Sequence, residues 1–173
     1  DFDKYLEIED MLDFLVADTI IQYFDLIGVL LLLWILMRFV DKEPFINLGF
    51  SLKGKVNDII LGMTLGLLLM AVGYTILILL GEIKFIGFNY DLKNIILLFL
   101  LFIAVSIAEE TYVRGYVLKN LLQSFNPIIS LIISSAIFSL LHFFNPNVNY
   151  IALTELFIAG ILLGISYVYT KNL

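Results

Sequence analysis

The stretch that decides the fold is residues 95–115, IILLFLLFIAVSIAEETYVRG. Its first part is apolar except for one serine, and with its flanks it reaches the ~20 residues that a helix needs to cross a bilayer. Two adjacent carboxylates, Glu109 and Glu110, then fall inside the same apolar helix, where a central charge costs ~2.5–3.5 kcal/mol on insertion scales. The stretch therefore predicts a transmembrane helix whose charged residues are partnered or line a cavity.

The whole chain has the composition of a membrane protein. Hydrophobic residues occupy 61% and charged residues 15% of its 173 positions, and its mean hydropathy is +1.02. A soluble domain carries roughly 25% charged residues, so the composition argues against a soluble fold. The net charge of -6 argues against nucleic-acid binding. The absence of cysteine removes disulfides, thiolate metal sites and a cysteine nucleophile.

The apolar blocks predict an all-α, polytopic transmembrane bundle of about five spans. Eight acidic residues, the last of them Asp25, fall within the first 25 positions with Lys4 as the only base. We therefore interpret residues 1–19 as an acidic amphipathic or interfacial segment, or the end of another span, and residues 20–173 as the transmembrane domain. The five predicted spans are 20–40, 59–80, 94–113, 127–143 and 150–170.

Two glycine pairs at GxxxG spacing, Gly62 with Gly66 and Gly160 with Gly164, predict close helix packing. The two ends of the chain carry a different signal. The chain opens on Asp1 without a basic n-region and stops directly after an apolar span, so we expect it to be a fragment of a longer protein.

The charged residues of the third span divide into a pair and a remainder. Glu110 and Arg114 are four residues apart and share a helix face, which favours an ion pair between them. Glu109 points ~100° away around the helix and has no partner nearby in sequence. Glu155, inside the last span, is a third buried carboxylate, which either lines a cavity or lies near the interface.

The single histidine, His142, ends the fourth predicted span. If the third helix continues to about residue 123 and turns before Pro127, with Asn126 as the helix cap, the two helices form an antiparallel hairpin. Glu109 then lies ~21 Å and His142 ~22 Å from the tip, at ~1.5 Å per residue. At matched depth the two side chains could hold a water, with Glu109 as general base and His142 orienting it or transferring a proton.

Other chemistries fail on spacing. There is no H-E-x-x-H or E-x-x-H pattern, and one histidine with two glutamates is a thin ligand set for zinc. We expect no cofactor, although a divalent metal is not excluded. Serine catalysis is disfavoured because Ser139 shares a helix with His142 and no G-x-S-x-G occurs.

The combined pattern E-E-x-x-x-R and F-x-x-x-H resembles the CPBP family, the CAAX-protease and bacteriocin-processing intramembrane glutamic proteases also called Abi proteins. The matching residues are Glu109, Glu110, Arg114, Phe138 and His142. Two further stretches extend the resemblance over most of the chain from about residue 45, namely FINLGFSLKG at 45–54 and FIAGILLGISYVYTKNL at 157–173.

This resemblance implies that the first glutamate activates water for peptide-bond cleavage with help from the motif histidine. It also implies a third motif, H-x-x-x-N, that supplies oxyanion donors, and this motif is absent because position 146 is Pro146 and no second histidine exists. Each donor is worth ~2.7–4 kcal/mol in other acyl-transfer enzymes, so we expect little activity from this chain alone. Prenylated CAAX substrates belong to the eukaryotic branch and are not carried over.

The functional prediction is an intramembrane endopeptidase in a bacterial cell membrane, acting on a peptide or membrane-protein substrate within the lipid bilayer. Its predicted catalytic set is Glu109, His142, Glu110 and Arg114. The alternative is a membrane scaffold or bacteriocin-immunity protein that keeps the polar cluster for packing or partner binding.

Overall fold

The computed structural model describes residues 2–51, 54–88, 90–146 and 148–173, without the side chains of residues 2–11. Throughout these ranges the regular elements are helices and no strand occurs, which confirms the all-α prediction. Residues 52 and 53 of the FINLGFSLKG stretch lie outside the described residues, as do most side chains behind the amphipathic prediction for residues 1–19.

The described residues form six α-helices, two π-helical segments and one 3-10 turn. A π-helical segment, Leu36–Asp41, extends α1, and a second, Thr111–Leu118, joins α3 to α4 without a break. The α-helices are α1 Phe2–Ile35, α2 Val56–Leu80, α3 Leu92–Glu110, α4 Lys119–Ser124, α5 Pro127–Leu141 and α6 Tyr150–Thr170, and the 3-10 turn is Phe45–Leu48.

In the part of the chain that the structure describes, four helical stretches are long and apolar enough to cross a membrane, namely Leu12–Asp41, Val56–Leu80, Leu92–Ser124 and Tyr150–Thr170. The fourth predicted span is a shorter apolar helix, α5, of 15 residues. At ~1.5 Å per residue it covers ~22 Å, less than the ~30 Å hydrocarbon core. The third span runs beyond its predicted end because π-helical turns continue it. Helix α1 passes unbroken through residue 19, and the domain boundary placed there stays a prediction.

The chain forms two compact units. One contains residues up to Phe50 together with Lys93–Leu173, and the other is Ser51–Leu92, which holds α2. All residues of the predicted catalytic set belong to the first unit. Within the second unit, a Cβ placed on Gly62 or Gly66 meets no atom within 4 Å, so close packing at this pair stays a prediction.

Helices α5 and α6 pack closely and antiparallel. A Cβ on Gly160 would lie 3.0 Å from Cα of Ser135, and the Ser139 hydroxyl donates a 2.7 Å hydrogen bond to the Leu153 carbonyl. A Cβ on Gly164 would approach a methyl carbon of Leu131 at 2.8 Å. The second glycine pair therefore packs against a neighbouring helix as predicted, since only a missing Cβ allows this approach.

The predicted hairpin between α4 and α5 is confirmed. Helix α4 ends at Ser124, and the Asn126 side chain caps α5 by accepting a 3.0 Å hydrogen bond from the Ile129 N–H. Pro127 is the first helical residue, where its missing N–H costs nothing. This turn fixes α5 beside the chain segment that carries the two glutamates.

The 3-10 turn packs against the second π-helical segment through backbone. A Cβ on Gly115 would lie 2.8 Å from the Leu48 carbonyl oxygen, so only glycine permits this contact. The Tyr167 hydroxyl, from α6, donates to the same carbonyl at 3.4 Å. These two contacts connect the 3-10 turn to the second π-helical segment and to α6.

The close approach of α5 and α6 predicts that Gly160→Ala is destabilising. The new methyl group overlaps the Ser135 backbone and must push the helices apart, at a cost of ~1–3 kcal/mol typical of overpacking. The free energy of unfolding in mixed SDS micelles measures the effect. Gly28→Ala is the matched control, because a Cβ at Gly28 meets nothing within 4 Å. Equal stability of the two variants would contradict the packing.

A surface ion pair predicts how stability depends on pH. The Lys119 side chain donates a hydrogen bond to Glu43 and thereby holds the pKa of that carboxyl below its ordinary value of 4.5. A carboxyl that is more acidic when folded stabilises the folded state above pH 4.5, and this contribution is lost as pH falls through the lowered pKa.

We therefore expect the stability difference between the wild-type protein and Glu43→Gln to be constant from about pH 7 to 4.5 and to shrink below it. Detergent unfolding over this range gives the difference. Lys119→Gln, which removes the other partner, should abolish the same pH-dependent part, and a difference that grows on acidification would refute the assignment.

Candidate active site

The two glutamates stand at the junction of α3 and the second π-helical segment. Glu109 and Glu110 are the last residues of α3, and Thr111–Leu118 follows with hydrogen bonds of the i to i+5 type. Such π-helical turns are rare and often occur at functional sites. The sequence carries no signal that would have located this change of helix geometry.

His142 stands at the C-terminal cap of α5. Its backbone N–H bonds to the Ser139 carbonyl, while its ring Nδ1 lies 2.8 Å from the Phe138 carbonyl oxygen. A carbonyl only accepts, so Nδ1 carries the hydrogen, and in the neutral ring Nε2 is then the unprotonated nitrogen. The helix end thus sets both the orientation and the tautomer of the imidazole.

The structure brings Glu109 and His142 together, as the depth argument predicts. Glu109 Oε1 and His142 Nε2 are 3.4 Å apart, and their side chains are 37% and 19% exposed. A carboxylate oxygen and an unprotonated nitrogen both accept hydrogen bonds, so the contact requires a shared proton or a water that donates to both. The catalytic role of this pair stays a prediction.

Glu110 and Arg114 form the predicted ion pair. Arg114 Nη1 lies 3.2 Å from Glu110 Oε1, and the arginine side chain is 1% exposed against 31% for the glutamate. The pair lacks hydrogen-bond geometry, because neither Nη atom of Arg114 has a hydrogen-bond partner among the described residues. The guanidinium also stacks on the Phe138 ring, with Cζ 4.3 Å from the ring centroid.

Phe138 links the two pairs. Its ring meets the His142 ring edge to face, with centroids 4.9 Å apart, while its other contact is the Arg114 guanidinium. Cation–π and edge-to-face contacts both have preferred geometries, so one buried ring constrains both side chains. Phe138 therefore positions the site without offering a reactive atom.

A cavity of about 620 Å³ lies beside Glu109 and His142. Three helical stretches line it: α1, the α3 and π-helical stretch, and the end of α5. Its polar lining residues are Gln22, Asp25, Glu109, Tyr112, His142 and Asn145, and the others are apolar.

Sequence reasoning missed the wall that α1 contributes. Asp25 is the last of the eight acidic residues near the start of the chain, and it also lies five residues inside the predicted first span. A charge inside a span is costly, and this argument, which marks Glu109 and Glu155 as candidate functional residues, applies equally to Asp25.

Two other sequence candidates lie elsewhere. Glu155 is exposed on α6 and does not line this cavity. The Ser139 hydroxyl is committed to the Leu153 carbonyl, which gives it a packing role between α5 and α6. Within the described residues, no group of three or more His, Asp or Glu side chains is placed to hold a metal ion.

Comparison with known families gives a match for the part of the chain that contains Glu109 and His142. A family model described as type II CAAX prenyl endopeptidase Rce1-like matches residues 91–173. The family resemblance is confirmed over these residues, whereas the FINLGFSLKG stretch at 45–54 lies outside the match. The Rce1-like segment, residues 91–173, contains both glutamates, Arg114, Phe138 and His142. The match of this segment indicates an intramembrane endopeptidase. The long apolar helices indicate that the protein is an integral membrane protein. Neither a curated protein nor a solved structure matches the chain.

The buried ion pair predicts strong coupling between Glu110 and Arg114. Removing one partner of a buried pair costs ~3–5 kcal/mol because the other charge is left uncompensated. In a cycle of Glu110→Gln, Arg114→Gln and the double variant, we expect the double variant to lose less stability than the sum of the single losses. Unfolding in mixed micelles measures each corner. Additivity within ~0.5 kcal/mol would show that the two charges do not interact.

Proposed function

We propose that the protein is an intramembrane glutamic endopeptidase, with Glu109 as the general base. The observation that supports this most is the 3.4 Å approach of Glu109 Oε1 to His142 Nε2 beside a 620 Å³ cavity. A base, an acceptor that orients water and a space for a peptide meet at one place. The Rce1-like segment supports peptide hydrolysis as the reaction class.

The hydrogen-bond pattern suggests how water is held. Because the His142 Nδ1 hydrogen is directed to the Phe138 carbonyl, Nε2 is left to accept. A water between the two side chains donates one O–H to Glu109 and the other to Nε2. Its lone pair is then directed away from both acceptors, toward a peptide carbonyl in the cavity.

In the proposed reaction, Glu109 takes a proton from this water as the oxygen attacks the carbonyl carbon. The tetrahedral intermediate collapses when the C–N bond breaks, and the proton on Glu109 passes to the leaving nitrogen. The products are a carboxylic acid and an amine, which exchange a proton to become a carboxylate and an ammonium group. His142 Nε2 accepts a hydrogen bond from the water in the first step and from the hydroxyl that it becomes in the intermediate, and the position of His142 depends on the Phe138 carbonyl and ring.

The remaining motif residues act as positioning groups in this proposal. The Glu110 and Arg114 pair is tied to the Phe138 ring, which in turn contacts His142. The substrate is a peptide or membrane protein that reaches the cavity from the bilayer, and the proposed setting is a bacterial cell membrane. Oxyanion donors of the H-x-x-x-N type are not among residues 1–173, whose only histidine is His142.

The proposal predicts that Glu109→Gln and His142→Ala each lower kcat by ~10²–10⁴-fold, the usual contribution of general acid–base catalysis. Purified protein in lipid vesicles is tested on a membrane-inserted peptide with a quenched fluorophore. The protein is made both as residues 1–173 and with any residues that its gene encodes after Leu173. Glu155→Gln is the matched control, since Glu155 is exposed and away from the cavity.

Undiminished cleavage by both site variants would overturn the mechanism. No cleavage by any form, combined with stable binding of a partner that requires the polar cluster, would favour the scaffold or immunity protein instead. Loss of activity on adding a chelator, restored by a divalent metal, would revive a metal-dependent reaction.

A further inference from the structure

The wall that α1 contributes to the cavity is unusual for a membrane-spanning helix. Gln22, Asp25 and Val29 follow one another at helical spacing, and all three line the cavity beside Glu109 and His142. Asp25 lies near the middle of the span Leu12–Asp41. An ionised side chain at that depth is costly and in membrane proteins marks a pathway or a ligand site.

The charges around the cavity are not balanced. Glu109 and Asp25 are both carboxylates, and none of the residues that line the cavity is lysine or arginine. Arg114, a buried cation five residues after Glu109, already contacts Glu110 and the Phe138 ring. Glu109 is in contact with His142. Of the two carboxylates that line the cavity, Asp25 is therefore the one for which the described contacts show no positively charged partner.

From this arrangement we propose that Asp25 binds a cationic side chain of the substrate, a lysine or arginine close to the scissile bond. This inference rests on the proposed function and adds the substrate class. Val29 and the apolar lining suit a hydrophobic peptide segment, while Gln22 and Asp25 present polar atoms to one side of it. Asp25 is exposed and so accessible to a substrate, and complementary charges across a binding site contribute to selectivity.

Asp25 lies outside the Rce1-like segment, residues 91–173. The hydrolytic residues come from α3 and α5, and the proposed selecting residue comes from α1. Selectivity and catalysis are thus carried by different helices, which allows them to be separated by substitution. Asp25 is a substrate-binding residue in this proposal, and Asp25→Asn should lower cleavage of a lysine-containing peptide more than cleavage of its uncharged counterpart.

The test uses the full protein in phosphatidylcholine vesicles and one apolar quenched peptide, with a single position scanned as Lys, Gln or Glu. We expect wild-type protein to cleave the best Lys peptide with a kcat/KM about 10-fold or more above that of its Gln counterpart, as a close charge pair allows. Asp25→Asn should remove this preference, and Asp25→Lys should shift it toward the Glu peptide. Asp13→Asn, an exposed carboxylate on the same helix, is the matched control.

The outcomes separate this inference from the proposed function. Cleavage that depends on Glu109 but shows no preference for Lys, or a preference that Asp25→Asn leaves unchanged, overturns the role of Asp25 and leaves the enzyme assignment standing. Loss of cleavage of all peptides in Asp25→Asn, with the protein folded, also overturns a purely selective role. Cleavage that does not need Glu109 overturns the proposed function.

A binding measurement covers the case in which no peptide is hydrolysed. Fluorescence anisotropy of the Lys and Gln peptides is compared on Glu109→Gln protein with and without Asp25→Asn in lipid nanodiscs. About 10-fold tighter binding of the Lys peptide that disappears with Asp25→Asn supports the inference, and equal binding of the two peptides overturns it.

Discussion

The burial of one guanidinium constrains the rest of this structure. Arg114 is 1% exposed inside an apolar helical stretch, and a charge in that position requires compensation from its neighbours. Glu110 supplies the opposite charge from the preceding turn, and Phe138 supplies a ring face from α5. Because the second contact comes from another helix, the cost of burying the charge is met only when α5 lies beside the α3 and π-helical stretch.

That docking also fixes the site. The Phe138 carbonyl and ring hold His142, and the antiparallel hairpin brings Nε2 to 3.4 Å from Glu109. Helix α5 is too short to cross a hydrocarbon core, so at least one of its ends falls within the membrane depth. A helix end there needs partners for its last carbonyls, and the imidazole is one of them. The same hydrogen bond that satisfies the helix end sets the tautomer for the proposed chemistry.

Glycine residues allow the helices around the site to pack closely. Gly115 admits the Leu48 carbonyl, and Gly160 admits the backbone of α5. Neither residue takes part in chemistry, yet each decides how near a neighbouring backbone can come. In lipid, where apolar surface is not driven together by water, such close packing is the main source of helix association. The polar site thus rests on backbone contacts that contain no polar side chain.

The sequence by itself determined the all-α membrane class, the Glu110 and Arg114 pair, and the hairpin that sets Glu109 and His142 at one depth. These follow from local quantities, namely apolar run length, helical periodicity and the Asn126-Pro127 cap, and so one chain is enough to compute them. Helix α5 is apolar as predicted but ends two residues earlier, and the position of Asp25 beside the site does not follow from these local quantities.

Tertiary structure alone decided three features: the π-helical turns after Glu110, the bridging contacts of Phe138, and the α1 wall that carries Asp25. Each depends on which face of a helix meets a neighbour distant in sequence. In a membrane helix that is apolar all round, periodicity does not mark the packed face, because lipid and protein neighbours accept the same side chains. Only the packed structure could show that a carboxylate in the first span and a glutamate in the third line one cavity.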